Sequence, residues 1–169
     1  YKRFETNFRL HGSDQPGNNT RYAIISDNEF TRNPGIGNVG GGPNVGPGNG
    51  SNPDGTTPRE VVDDVIVERN KMHISTSEGT LPGMGVCTMN NLTIRNNIFS
   101  GPLNGAIGLC GATYPGWDRG PTRVDVYNNT FSAPGDPNFI QVGHFGTGPT
   151  TWNIHNNISN TPSASQATL

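Results

Sequence analysis

Five residues, each two places ahead of a recurring asparagine, form the group in this sequence best equipped for chemistry: Ser26, Glu68, Arg95, Tyr127 and His155. A carboxylate, a guanidinium, a phenol and an imidazole on one strip can hold the hydroxyls of a sugar chain and move protons. A second row, two residues earlier, reads Ile24, Ile66, Thr93, Asp125 and Asn153. Repeat alignment makes Glu68 and Arg95 neighbours within ion-pair reach, continues the line through Tyr127 and His155, and puts Asp125 one repeat from Thr93 and near Arg95. The plainer reading of the strip is a solvated sheet face with one surface ion pair, worth about 0–1 kcal/mol. Trp117, with Tyr114, offers flat aromatic surface on which a sugar can stack, the competing role being a loop anchor folded back on the chain.

These rows exist because one phrase recurs. Leu92-Thr-Ile94-Arg-Asn-Asn97-Ile-Phe99-Ser is answered by Val124-Asp-Val126-Tyr-Asn-Asn129-Thr-Phe131-Ser. Looser copies end on Asn28, Asn70 and Asn157, so the asparagines step by 42, 27, 32 and 28 residues. A short alternating strand repeated at such periods is the signature of a stacked solenoid. Alternation buries one face of each strand. The asparagine suits the bend that follows, since its amide bonds to open backbone groups and tolerates left-handed conformation. Stacked in register, Asn28, Asn70, Asn97, Asn129 and Asn157 form an inward structural ladder. Phe30, Met72, Phe99 and Phe131, two places later, stack inside the coil.

A second strand recurs as Met84-Gly-Val86-Cys87 and Ile107-Gly-Leu109-Cys110, with Ile140–Gly143 and Phe8–His11 as looser copies. Each coil therefore has at least two short strands, and parallel crossovers are overwhelmingly right-handed. With the Asn-Asn-x-Phe turns, these residues resemble the right-handed parallel β-helix superfamily, the pectate-lyase-like fold. The resemblance spans nearly the whole chain outside residues 33–60. The expected fold is all-β, a right-handed parallel β-helix of about five coils. It is one domain over 1–169, with a Gly/Pro/Asn-rich insertion at 33–59 and a polar tail at 160–169. The insertion is expected to carry little regular structure. Lyases of this superfamily pair a proton-abstracting base with a calcium ion or arginine that neutralises a uronate. That implies Arg95, Lys71 and His155 as candidate bases, and Asp63, Asp64 and Glu68 as ligands for calcium, which takes hard oxygen donors. Glu68, Tyr127, Asp125, Trp117 and Tyr114 are the candidate substrate contacts. The function expected is binding or cleavage of polysaccharide, with a lyase of acidic glycans as the catalytic form. The alternative class is a non-catalytic cell-surface, spike or adhesin-type β-helix.

Composition agrees with a solenoid. Only 30% of the 169 residues are hydrophobic, while glycine reaches 24 and proline 14; a narrow core needs few apolar residues per coil, and turns absorb the rest. A net charge of −2 argues against nucleic acid as partner, and no stretch is apolar and long enough for membrane insertion by a helix. The first strand, at Phe8–His11, reads as the second strand of a coil, so the chain is expected to be part of a longer protein. Gly35-x-Gly37-x-x-Gly40 matches a dinucleotide fingerprint formally, but Asn33-Pro34 precedes it and no helix follows. His11, His73 and His144 lack metal-ligand spacing. Cys87 and Cys110 occupy matching strands of consecutive coils. Stacking sets equivalent Cα atoms about 4.8 Å apart, within the disulfide window of about 4.4–6.8 Å. One bridge, and with it an extracellular or cell-surface location, is the expectation. A reduced pair filling a small space is the alternative. Nothing in the pattern assigns an oligomeric state.

Overall fold

Apolar alternation ahead of each repeated asparagine produces short strands that stack rather than pair as hairpins. The structure, a computed structural model, describes residues 9–10, 20–32, 44–45, 62–74, 84–87, 91–101, 106–110, 123–132, 140–142 and 151–159. Along the chain these form β1 (Arg9–Leu10), β2 (Thr20–Arg21), β3 (Ile24–Ser26) and β4 (Glu29–Arg32). There follow β5 (Asn44–Val45), β6 (Val62–Asp63), β7 (Val65–Glu68) and β8 (Lys71–Ile74). Next come β9 (Met84–Cys87), β10 (Asn91–Arg95), β11 (Ile98–Ser100) and β12 (Ile107–Cys110). The last are β13 (Arg123–Tyr127), β14 (Thr130–Ser132), β15 (Ile140–Val142), β16 (Thr151–His155) and β17 (Ile158–Ser159). Every described strand pairing is parallel. No described helix is long and apolar enough to cross a membrane.

Three five-stranded sheets result, ordered β1-β5-β9-β12-β15, β3-β7-β10-β13-β16 and β4-β8-β11-β14-β17, beside a two-stranded β2-β6 pair. Successive repeats thus add one strand to each sheet, an all-β parallel arrangement compatible with a β-solenoid. The sequence phrase contributes two strands, not one: the residues after each asparagine leave the bend as a strand of the third sheet. The stretch read as an insertion also contributes. Its Asn44 and Val45 form β5, in register with Arg9 and Leu10 on one side and Gly85 and Val86 on the other. The rest of 33–59, the tail 160–169, and Tyr114 and Trp117 lie outside the described residues.

The core is a column. Ile25, Val67, Ile94 and Val126 are register partners in the second sheet and are buried, as are Val65, Leu92 and Val124. In the third sheet Met72, Phe99 and Phe131 are aligned and buried, with the Phe99 and Phe131 rings stacked at 5.1 Å between centroids. Met84 and Ile107 do the same in the first sheet.

Between the second and third sheets the chain turns through the asparagine ladder. The Oδ1 of each ladder residue accepts from both the backbone N–H and the side-chain Nδ2 of the one before it. The distances are 3.0 and 3.1 Å for Asn28 to Asn70, 3.0 and 3.1 Å for Asn70 to Asn97 and 3.0 Å twice for Asn97 to Asn129. Asn129 to Asn157 continues the pattern at 3.0 and 3.1 Å. The amide nitrogens of Asn70, Asn97, Asn129 and Asn157 also reach a strand carbonyl of the adjoining repeat, as Asn97 Nδ2 does to Val67 O at 2.9 Å. Asn70, Asn97 and Asn129 are at most 1% exposed, so their polar atoms need these partners. The residue ahead of each ladder asparagine is left-handed: Asp27, Arg69, Asn96, Asn128 and Asn156 have φ of 59, 55, 56, 55 and 54°. Asn and Asp bear that conformation well; Arg69 is the costly member, at about 1–2 kcal/mol.

Cys87 and Cys110 are register partners in β9 and β12. No disulfide is found among the described residues, and the two cysteine side chains lie outside them. Replacing a central ladder residue should be far more damaging than replacing a terminal one. Asn97→Ala strands the buried Asn70 N–H and should lower unfolding free energy by about 2–4 kcal/mol. Asn28→Ala, at the exposed end, should cost about 0.5–1 kcal/mol. Urea denaturation of the two variants measures the difference, and equal losses would mean that the ladder bonds contribute little.

Candidate functional site

The ladder holds every second-sheet strand in the same phase, so the residues two places ahead of it line up on the outer face. Ser26, Glu68, Arg95, Tyr127 and His155 are consecutive register partners, as the sequence implies. Arg95 donates to Glu68 Oε2 from Nε at 2.7 Å and lies 2.6 Å from it through Nη2. Its Nη1 donates to the Tyr127 hydroxyl at 3.0 Å. The Tyr127 ring then lies on the His155 imidazole, 5.1 Å between centroids and 2° from parallel.

The network reaches further than strand columns indicate. Arg69, at its left-handed bend, grips Asp27 as a fork, Nε to Oδ1 at 2.8 Å and Nη2 to Oδ2 at 2.7 Å, and its Nη1 donates to Glu68 Oε1. Each Glu68 carboxylate oxygen therefore faces a guanidinium, and Glu68 is only 7% exposed. Two carboxylates and two guanidinia close a neutral quartet. Hydrogen bonding from Arg95 holds the Glu68 carboxyl below its ordinary range against the opposing effect of burial. Arg69 does the same for Asp27. The bond to Tyr127, followed by that to Glu68, raises the Arg95 pKa. Arg95 thus keeps its proton, and it is suited to holding an acceptor rather than to abstracting a proton.

Asp125 is held by Arg123 and Asn153 rather than by Arg95. Arg123 Nε is 2.8 Å from Oδ2, and Asn153 Nδ2 is 2.6 Å from Oδ1. Burial pushes the Asp125 pKa up, but these two bonds outweigh it and the carboxyl sits below its ordinary value. Lys71 stands elsewhere: it is on β8 in the third sheet, in register with Glu29 and Ile98, past the bend from the strip. Of the calcium candidates, Glu68 is committed to the two arginines and Asp64 accepts from Asn91 Nδ2 at 2.7 Å. The Asp63 side chain lies outside the described residues. Among the described residues no group of three His, Cys, Asp or Glu can hold a metal ion.

Asp27, Arg69 and Arg123 were not singled out by sequence reasoning. Asp27 and Arg69 each immediately precede a ladder asparagine, a position the strand template leaves blank. Arg123 is two residues from Asp125, which places both on one face of a strand. Comparison with known proteins finds no family model, no curated protein and no solved structure that matches the chain.

The lowered carboxyl pKa values fix the sign of the acid response. A group whose pKa is depressed by folding contributes stability that is fully present above its unfolded value, 4.5 for Glu68, and is lost as pH falls through the folded value. The thermal midpoint should therefore be level from neutral pH to about 5 and fall below it. Glu68→Gln should lower the midpoint by about 2–4 °C at neutral pH and flatten the acid limb. Calorimetry across pH checks both, and an unchanged acid limb would remove Glu68 from the account.

Proposed function

We propose that this chain belongs to an extracellular or cell-surface right-handed parallel β-helix protein, of about five coils and similar to the pectate-lyase-like superfamily. Its function is to bind polysaccharide along the outer face of the sheet β3-β7-β10-β13-β16. The observation that carries this reading is the in-register row Glu68, Arg95, Tyr127 and His155. Hydrogen-bonding and aromatic groups repeat there at the inter-strand spacing of about 4.8 Å, already oriented by their neighbours. An extended chain laid across the strands meets a donor or a ring at Arg95, Tyr127 and His155 in turn, and pre-organised partners cost little entropy on binding. Cleavage of an acidic glycan is the catalytic form of the proposal, with exposed His155 as its proton-accepting group, because Arg95 holds its proton and Lys71 is on another sheet. The register of Cys87 with Cys110 supports an oxidising compartment.

One observation favours a second reading, a non-catalytic structural or adhesin-type β-helix: the quartet's charges are satisfied within the chain. Affinity electrophoresis through gels containing polygalacturonate, alginate, xylan, mannan or a soluble glucan separates the two. The proposal expects retardation by at least one polymer, reduced about tenfold in affinity by Arg95→Ala, where a charge-assisted bond is lost. Migration unaltered in every gel would leave the structural reading. Ultraviolet absorbance from unsaturated products, abolished by His155→Ala, would assign the lyase step.

A further inference from the structure

The outer face of the second sheet divides in two. Over its last two repeats, the rows ahead of the strip are polar, with Arg123, Asp125 and Asn153 bonded together. Over the first three they are mixed, with Tyr22, Ile24 and Ile66 beside Asp64, Asn91 and Thr93. There a hollow of about 370 Å³ is lined by Tyr22, Ile24, Ile66 and Thr93, with Asp64 and Asn91 at its polar edge. Tyr22 is 78% exposed and Ile24 62%, against 43% for Ile98 in the third sheet. Register places Ile24, Ile66 and Thr93 side by side across three strands, two residues along from Ser26, Glu68 and Arg95. Tyr22 and Asp64 both take left-handed backbone, φ 56 and 53°, immediately after β2 and β6. For a bulky tyrosine such a conformation is costly.

We propose that this hollow is a subsite for one uncharged pyranose unit of the polysaccharide. The inference rests on the polysaccharide reading above and names the unit taken at this end of the face, a neutral sugar even where the polymer carries uronates elsewhere along the strip. A pyranose ring has an apolar C–H face, which covers exposed aromatic and β-branched surface, and a rim of hydroxyls. Here the floor is Ile24, Ile66 and Thr93, the wall is the Tyr22 ring, and the hydroxyl partners are the bonded Asp64 and Asn91. Its volume falls at the small end of ligand pockets. Selection against a uronate follows from charge. The described lining contains a carboxylate and no cation. The guanidinia of the neighbouring strip and its bend, Arg95 and Arg69, are already bound to Glu68 and Asp27. A sugar carboxylate would face Asp64 uncompensated, whereas hydroxyls donate to it.

Titration calorimetry on the full chain tests this with xylohexaose, cellohexaose, mannohexaose and a galacturonate hexamer as probes. Tyr22→Gly removes the ring and relaxes the left-handed backbone, and Ile24→Ser alters an exposed position, so circular dichroism should be unchanged for both. The expected result is binding of at least one neutral hexamer, with each variant weakening it by about tenfold. The galacturonate hexamer should bind at least about tenfold more weakly, with Asp64→Asn narrowing that gap. Binding that survives Tyr22→Gly and Ile24→Ser but is lost in Arg95→Ala overturns the subsite and leaves the polysaccharide face standing. Preference for the galacturonate hexamer overturns selection for an uncharged unit. Absence of binding to all four hexamers overturns the subsite and the polysaccharide reading together.

Discussion

A side-chain amide that accepts two hydrogen bonds from the repeat before it is the constraint on which this structure rests. The Oδ1 of Asn97 receives the backbone N–H and the Nδ2 of Asn70, and Asn97 gives the same pair to Asn129. Two bonds to one oxygen fix both the height and the rotation of one repeat on the next. A slip by one residue would turn every neighbouring side chain to the opposite face. It would also leave several fully buried amides without partners, each at a cost of about 1–3 kcal/mol. The narrow core of Val, Ile, Leu, Met and Phe supplies adhesion; the ladder supplies phase.

Phase is what turns a repeat into a surface. Residues of unrelated chemistry, Glu68, Arg95, Tyr127 and His155, meet because each stands two places before a ladder asparagine. The left-handed bend contributes as well. It carries Asp27 and Arg69 round the corner of the sheet, where Arg69 closes over the face of Glu68 that Arg95 leaves open. A carboxylate only 7% exposed is tolerable there because both its oxygens meet a guanidinium. The strained Arg69 backbone is offset by the fork it makes with Asp27.

Much of this was legible in the sequence, for a physical reason. Alternating apolar pairs, a bend asparagine and a following phenylalanine are local features that recur, so alignment of copies reads off register directly. The ladder, the Phe99–Phe131 stack and the Glu68–Arg95 pair all follow from it. What escaped lies where the template is silent. Arg69 and Asp27 are bend residues, outside the alternation. Arg123 pairs along its own strand with Asp125, so a search for partners between repeats passed over it. β5 is two residues long within glycine and proline, too short to show a period. The hollow is lined by Tyr22 and Asp64, both left-handed, a conformation for which neither Tyr22 nor its neighbours give any compositional sign. Lys71 enters as a candidate base only through the resemblance to lyases, and the bend at Asn70 puts it on a different sheet from Arg95 and His155.

Hydrogen exchange at the ladder amides addresses the central claim most directly. Asn70, Asn97 and Asn129 sit at bends, where backbone N–H groups ordinarily exchange through small local openings. If each is held by the Oδ1 of the next repeat, its amide should exchange as slowly as those of Ile94 and Val126 in the core strands, released only by global unfolding. Exchange of the three at the rate of an open turn, with the strand amides still protected, would contradict a ladder that sets the phase of the fold.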